Sequence, residues 1–270
     1  IANAIAVQPD GKIVLGGTAD IGYNRVAAAR LNSNGTLDRG FGNGGTITLP
    51  EAGAAWGMGL RTDGTIVLAG EYTPGAGGGL YDLLSRVGLG SVGRKLANGE
   101  QYMAATLLPS GQPDTSFGKG GVMLLPIGKE ALCTAVAVQP DGEVVLAGSA
   151  FTTTGISATV RLMPDGSLDR GFGVGGISES PLYNPINAVA LQPDGKIVVA
   201  ATGPTVIRLD QDGVPDPTFA ANGIDHIGTG GTGNAANGVT VDRKTGDIVL
   251  SGAATLSGRM ELSVVRLRGS

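Results

Sequence analysis

Short apolar runs recur along the chain in pairs, and each pair is joined by the same polar turn. The plainest copies are Gln8-Pro9-Asp10-Gly11-Lys12-Ile13-Val14, Gln139-Pro140-Asp141-Gly142-Glu143-Val144-Val145 and Gln192-Pro193-Asp194-Gly195-Lys196-Ile197-Val198. Two looser copies are Arg61-Thr62-Asp63-Gly64-Thr65-Ile66-Val67 and Asp242 to Val249. An Asp-Gly pair between β-branched runs predicts a hairpin, because Gly takes positive φ without a steric penalty. Periodicity of the helical kind is nearly absent.

The spacing is regular. Asp10 to Asp63 and Asp141 to Asp194 are each 53 residues, and Gly195 to Gly246 is 51. Asp63 to Asp141 is 78, one period plus an insertion of 25, placed at about 73–101. Behind each hairpin a third run ends in Arg-Leu (Arg30-Leu31, Arg161-Leu162, Arg208-Leu209, Arg266-Leu267). After it come a polar turn and an Asp with a Phe three residues on (Asp38 and Phe41, Asp114 and Phe117, Asp169 and Phe172, Asp216 and Phe219), then a fourth run such as Thr46-Ile47-Thr48-Leu49. Four short strands in a period near fifty predict one propeller blade per unit. The expectation is an all-β chain, residues 1–270 as one five-bladed β-propeller of four-stranded antiparallel blades, closed as a ring, with the insertion in the second blade. Too few residues remain for a complete fifth unit, so its blade should have three strands or borrow an edge from elsewhere. An open edge there invites self-association.

Composition narrows the setting. Gly is 48 of 270 residues against a usual ~7%, and with 41% hydrophobic residues the excess means turns rather than disorder. A net charge of −4 without a basic cluster argues against nucleic acid. No apolar run approaches the ~18 residues of a membrane span. Cys133 stands alone, which excludes an internal disulfide and a Cys-based zinc site. Few charges with many Thr, Gly and Ala suit an exported bacterial protein, extracellular, periplasmic or on the cell surface. Ile1 already lies in a strand pattern, and the expectation is that a leader has been removed.

The pattern A-V-x-Q-P-D-G-K-I-V-(L/V)-A-G, followed by A-R-L-x-x-D-G-(S/T)-L-D-x-x-F-G-x-G-G, resembles the bacterial delta-sixty repeat family across nearly the whole chain outside the insertion. The resemblance implies a β-propeller in an exported or surface protein. It implies no general activity and no family-wide catalytic residues, and no cofactor is expected. Unit two departs most: Thr106 stands where other units have Arg, and Arg61-Thr62 replaces Gln-Pro.

Aligning the first strands puts Asn3, Trp56, Thr134, Asn187 and Asn237 at one position, at the mouth of the expected channel. Ala4, Gly57, Ala135, Ala188 and Gly238 follow, small residues suited to a crowded axis. The mouth position is a default place for a small molecule, a carbohydrate or a protein surface; the structural alternative is that these side chains satisfy loop backbone. Tyr72, Tyr81 and Tyr102 flank the insertion as stacking surfaces or as anchors. Gly88-Leu89-Gly90-Ser91-Val92-Gly93 matches a dinucleotide string but lacks the strand–helix context.

A hydrolase of esterase or glycosidase type is the competing reading. It would draw on His226, the only histidine, with Asp225 and with Ser85 or Ser91, although no nucleophile elbow is present. A glycosidase needs two facing carboxylates, and Glu51, Glu130 and Glu179 lie just before the mouth positions. Cys133 is more plausible as a small buried hydrophobe than as a nucleophile. No metal-binding pattern occurs.

Overall fold

The computed structural model describes residues 1–74, 99–151, 155–180, 184–228, 232–256 and 259–269, and these form antiparallel β-sheets with no helix. The first run of strands is β1 (Ala2–Val7), β2 (Ile13–Asp20), β3 (Asn24–Leu31) and β4 (Thr46–Leu60). It continues through β5 (Ile66–Tyr72), β6 (Gln101–Leu107) and β7 (Val122–Leu125), a seven-stranded sheet in chain order. A four-stranded sheet follows, of β8 (Glu130–Val138), β9 (Val144–Phe151), β10 (Gly155–Leu162) and β11 (Ile177–Ser180). The next holds β12 (Ile186–Leu191), β13 (Ile197–Ala201), β14 (Thr205–Leu209) and β15 (Ile224–His226). The last is the three-stranded sheet of β16 (Thr232–Val241), β17 (Ile248–Leu256) and β18 (Arg259–Leu267).

One strand belongs to two units. The first half of β4 pairs with β3 (Ala27 with Thr48), and its second half pairs with β5 (Met58 with Leu68). The seven-stranded sheet is therefore two four-stranded runs that share β4. The sequence pattern stops the fourth run at Leu49, because Pro50 to Gly53 breaks the alternation.

Each hairpin is built by its own residues. Gly11 N–H donates to the Gln8 carbonyl at 2.9 Å, Gln8 N–H donates to Lys12 at 2.8 Å, and Gly11 sits at φ +82°. Pro9 pre-sets the turn, and the Asp10 carboxylate accepts from Lys12 N–H at 3.1 Å. The same bonds recur at Arg61–Thr65, Gln139–Glu143 and Gln192–Lys196.

Apolar cores lie between consecutive sheets. Val14, Val26 and Phe41 of unit one meet Ile66, Leu68, Met103 and Leu107 of unit two. Val67, Tyr102 and Phe117 meet Leu146 and Val160 of unit three, Val145 and Phe172 meet Val199 and Ile207 of unit four, and Val198, Val206 and Phe219 meet Leu250 of unit five. Middle strands are buried on both faces for this reason, as at Ile66 to Ala69 and Ile197 to Ala201. Contacts between sheets run in chain order and end with β12 to β14 against β16. The first and last sheets share no comparable contact among the described residues.

Candidate functional site

The five mouth positions are structurally equivalent in a way that goes beyond alignment. In every first strand the register slips across that residue: between Ala2 and Ala4, Ala55 and Gly57, Cys133 and Ala135, Ile186 and Ala188, and Ala236 and Gly238. Asn3, Trp56, Thr134, Asn187 and Asn237 are thus the extra residues of five β-bulges, and a bulge frees its residue from the ladder and re-aims the side chain. The carbonyl two residues before the bulge lies against the second strand. A Cβ on Gly70 would lie 1.8 Å from the Ala54 oxygen, which explains the glycine that closes the Val-Leu-Ala-Gly run.

Three of the five side chains staple neighbouring sheets. Asn3 Nδ2 donates to the Ala55 carbonyl at 2.9 Å, and Asn187 Nδ2 donates to Ala236 at 2.9 Å. The Thr134 hydroxyl donates to Ile186. In each case the acceptor is the residue just before the next bulge. Trp56 and Asn237 make no such bond and are exposed, Trp56 at 41%. The small residues behind the bulges make room for the next sheet: a Cβ on Gly59 would lie 2.6 Å from the Val138 side chain.

The other described candidates do not join these five positions. Tyr72 lines a separate cavity of about 740 Å³ with Pro50, Glu51, Lys119 and Leu124, where one Glu51 carboxylate oxygen is buried without a partner. Tyr102 is corrected outright: it is fully buried, and its hydroxyl donates to the Ala158 carbonyl at 3.1 Å, so it locks the second unit to the third and faces no ligand. Burial, with the nearby Cys133 second, pushes its phenol well above the ordinary tyrosine range. Tyr81, Ser85, Ser91 and the Gly88 to Gly93 string lie outside the described residues.

His226 sits on the outer strand β15, exposed, with Nδ1 3.1 Å from the Thr205 hydroxyl. Asp225 is its neighbour in the same strand, and successive strand residues point to opposite faces, so the two do not form an Asp–His pair. Burial pushes the Cys133 thiol up to about 12, and its backbone hydrogen bonds to Ala147 and Ala135 only partly offset this; it is no nucleophile. Glu51 and Glu179 line different cavities. Glu179 lines a cavity of about 440 Å³ with Val174, Val214 and Pro215, and Glu130 pairs with Phe151 at the start of β8. Among the described residues no three His, Cys, Asp or Glu side chains cluster to hold a metal ion.

The repeated Arg and Asp residues form clamps. Arg30, Arg161 and Arg208 donate through Nε to Asp38, Asp169 and Asp216 at 2.8, 2.7 and 2.9 Å, each guanidinium resting over the Phe of its own unit. A second arm reaches the next unit: Arg30 Nη1 donates to the Pro109 carbonyl at 2.6 Å, and Arg161 Nη1 to Gln211 at 2.5 Å. Sequence reasoning missed how unit two replaces its lost arginine. Arg61 comes from the first hairpin instead, donates to the Pro164 carbonyl at 2.9 Å and lies over Phe117. The departures at 61 and 106 were visible; that one compensates the other was not.

Residues 8–41, 139–172 and 192–219, the first, third and fourth units from hairpin to phenylalanine, match a domain of unknown function (DUF5122) described as a beta-propeller. Those three stretches are thus similar to β-propeller repeats. No curated protein matches it. Among solved structures it is similar to a protein of unknown function from Bacteroides caccae, at 10% identity and a TM-score of 0.49, covering 99% of this chain and 78% of that one. It is also similar to the extracellular domain described as that of a one-component system of B. thetaiotaomicron, at 15% identity and a TM-score of 0.48, covering 97% of this chain and 27% of that one. No helix among the described residues is long and apolar enough to cross a membrane.

Proposed function

We propose that the chain is a non-catalytic binding or scaffold module, one domain of five propeller blades of the delta-sixty kind, from an exported bacterial protein. Its ligand is a carbohydrate or a small molecule with an apolar face, held against Trp56 beside the insertion of unit two. The observation that carries this reading is the exposure of Trp56 at a bulge position where other units place a polar side chain. A large exposed indole beside polar groups suits stacking against a sugar ring.

Trp56 is the only tryptophan, so its fluorescence reports this site alone. Titration with a panel of neutral oligosaccharides and phenyl glycosides should give a saturable change in emission. By calorimetry, Trp56→Phe should keep the binding and Trp56→Ala should weaken it roughly tenfold, the loss expected of one stacked ring. Binding that ignores Trp56→Ala would defeat the assignment. Turnover of chromogenic esters or glycosides that disappears in His226→Ala would replace it with a hydrolase.

A further inference from the structure

The interface between the third and fourth units departs from its neighbours at one cross-strand pair. In each unit the third and fourth strands set two side chains opposite each other on one face: Ala28 with Ile47 in unit one, Ala104 with Met123 in unit two, Thr159 with Ser178 in unit three. Ile47 and Met123 pack into the cores that join their units to the next. Ser178 is too short to do so, and space left by a missing side chain closes only in part. A cavity of about 60 Å³ remains, with Thr159 and Ser178 on one wall and Val199, Ile207, Leu209 and Ile224 of unit four on the other. Thr159 is only 3% exposed, and neither hydroxyl has a hydrogen-bond partner among the described residues. A buried hydroxyl left unpaired is costly, and such groups call for an explanation.

The cavity opens outward. Ser178, Glu179 and Pro215 also line a larger pocket of about 440 Å³, whose other walls include Val174, Ile177 and Val214. Here too the repeat is broken. Val174 is 89% exposed and takes the place of Asn43 and Lys119. Val214 is 52% exposed and takes the place of Thr36, Gln112 and Ser167. At one interface, polar rim residues have given way to apolar ones and apolar core residues to hydroxyls.

We infer that this cleft is a second binding site, for a small neutral molecule with an apolar body and a hydroxyl at one end, of the phenol or aromatic-alcohol class. The inference is independent of any ligand at Trp56. The outer pocket has the size of a small-molecule site, and its valines, Ile177 and Pro215 take the apolar body. The ligand hydroxyl reaches Thr159 and Ser178, each of which can donate and accept, so it is satisfied in either sense. Among the described lining residues Glu179 alone is charged and none is basic, which turns anions away.

Methyl NMR of the whole chain reads the site through Ile177, Ile207 and Val214, with p-cresol, toluene and 4-methylbenzoate as probes. p-Cresol should shift these methyls saturably, with a Kd of about 1 mM for a probe of its size. Toluene should bind roughly fivefold to tenfold more weakly, the loss of one hydrogen bond, and 4-methylbenzoate should leave the methyls unmoved. Thr159→Val with Ser178→Ala keeps the shape and removes both hydroxyls. In that variant p-cresol should lose its advantage over toluene, while thermal melting stays at or above the wild-type value. Ser178→Ala alone carries the same comparison if the double variant fails to fold. Ser178→Ile, which copies unit one, should fill the cavity and abolish the shift at Ile207. Methyls that ignore all three probes overturn the inference. So does 4-methylbenzoate binding as well as p-cresol, or a preference for p-cresol that survives without the two hydroxyls. Shifts confined to the Trp56 indole would overturn it as well, and would leave the reading of that ring intact.

Discussion

Gly35 and Gly213 hold the same place in their units, and both have positive φ, +82° and +78°. Their surroundings differ. A Cβ on Gly213 would lie 2.6 Å from the Phe172 ring of the preceding unit, whereas one on Gly35 meets nothing within 4 Å. Gly35→Ala should therefore cost only the backbone term, about 1 kcal/mol. Gly213→Ala should add a packing clash and cost about 2–4 kcal/mol. Chemical denaturation of the two variants measures the difference. Arg61 allows a second comparison. Its guanidinium holds the Pro164 carbonyl and covers Phe117, so Arg61→Ala should destabilise by about 1.5 kcal/mol, beyond what an ordinary surface arginine loses. Cys133 should resist a thiol reagent at pH 8 in the native protein and react fully once denatured, because it is buried and its thiol stays protonated.

Among the sheets, the most heavily invested element is the turn after β14. Arg208 is fully buried and donates to Asp216, to the Thr218 hydroxyl and to the Gly269 carbonyl, with Phe219 beneath it. Burial works to raise the Asp216 carboxyl. The Thr218 hydroxyl and backbone N–H, Lys196 and Arg208 together outweigh it and hold the group well below the ordinary carboxylate range. Such a carboxylate stabilises the fold fully above the unfolded Asp value of about 4, and the contribution drains away as acid titrates the folded group below that. Asp216→Asn should cost about 3 kcal/mol at neutral pH, since it leaves a buried guanidinium poorly paired. The gap between variant and wild type should narrow in urea melts as pH falls below about 4. The staples behave differently. Asn187→Ala removes a neutral hydrogen bond and strips the Ala236 carbonyl of its donor, a loss of about 1 kcal/mol with no pH dependence.

Across the whole molecule, cohesion lies between sheets rather than within them, and this divides what the residues announced from what they concealed. Strand runs, turn positions and the Arg–Asp clamps all follow from neighbours at most ten places apart, where period two, an Asp-Gly turn and a charge pair act directly. The bulge at Asn3 and its four equivalents left only an aligned row of polar or aromatic residues as a trace. That three of them would be spent on the next sheet depends on carbonyls about fifty residues away. The same distance hid the substitution of Arg61 for an arginine at 106, the burial of Tyr102, and the run of β4 through Pro50 from one unit into the next. A repeat dictates how one unit meets its successor, but the angle between units, summed over the chain, is set by side-chain volumes at each interface, and no single unit contains that sum.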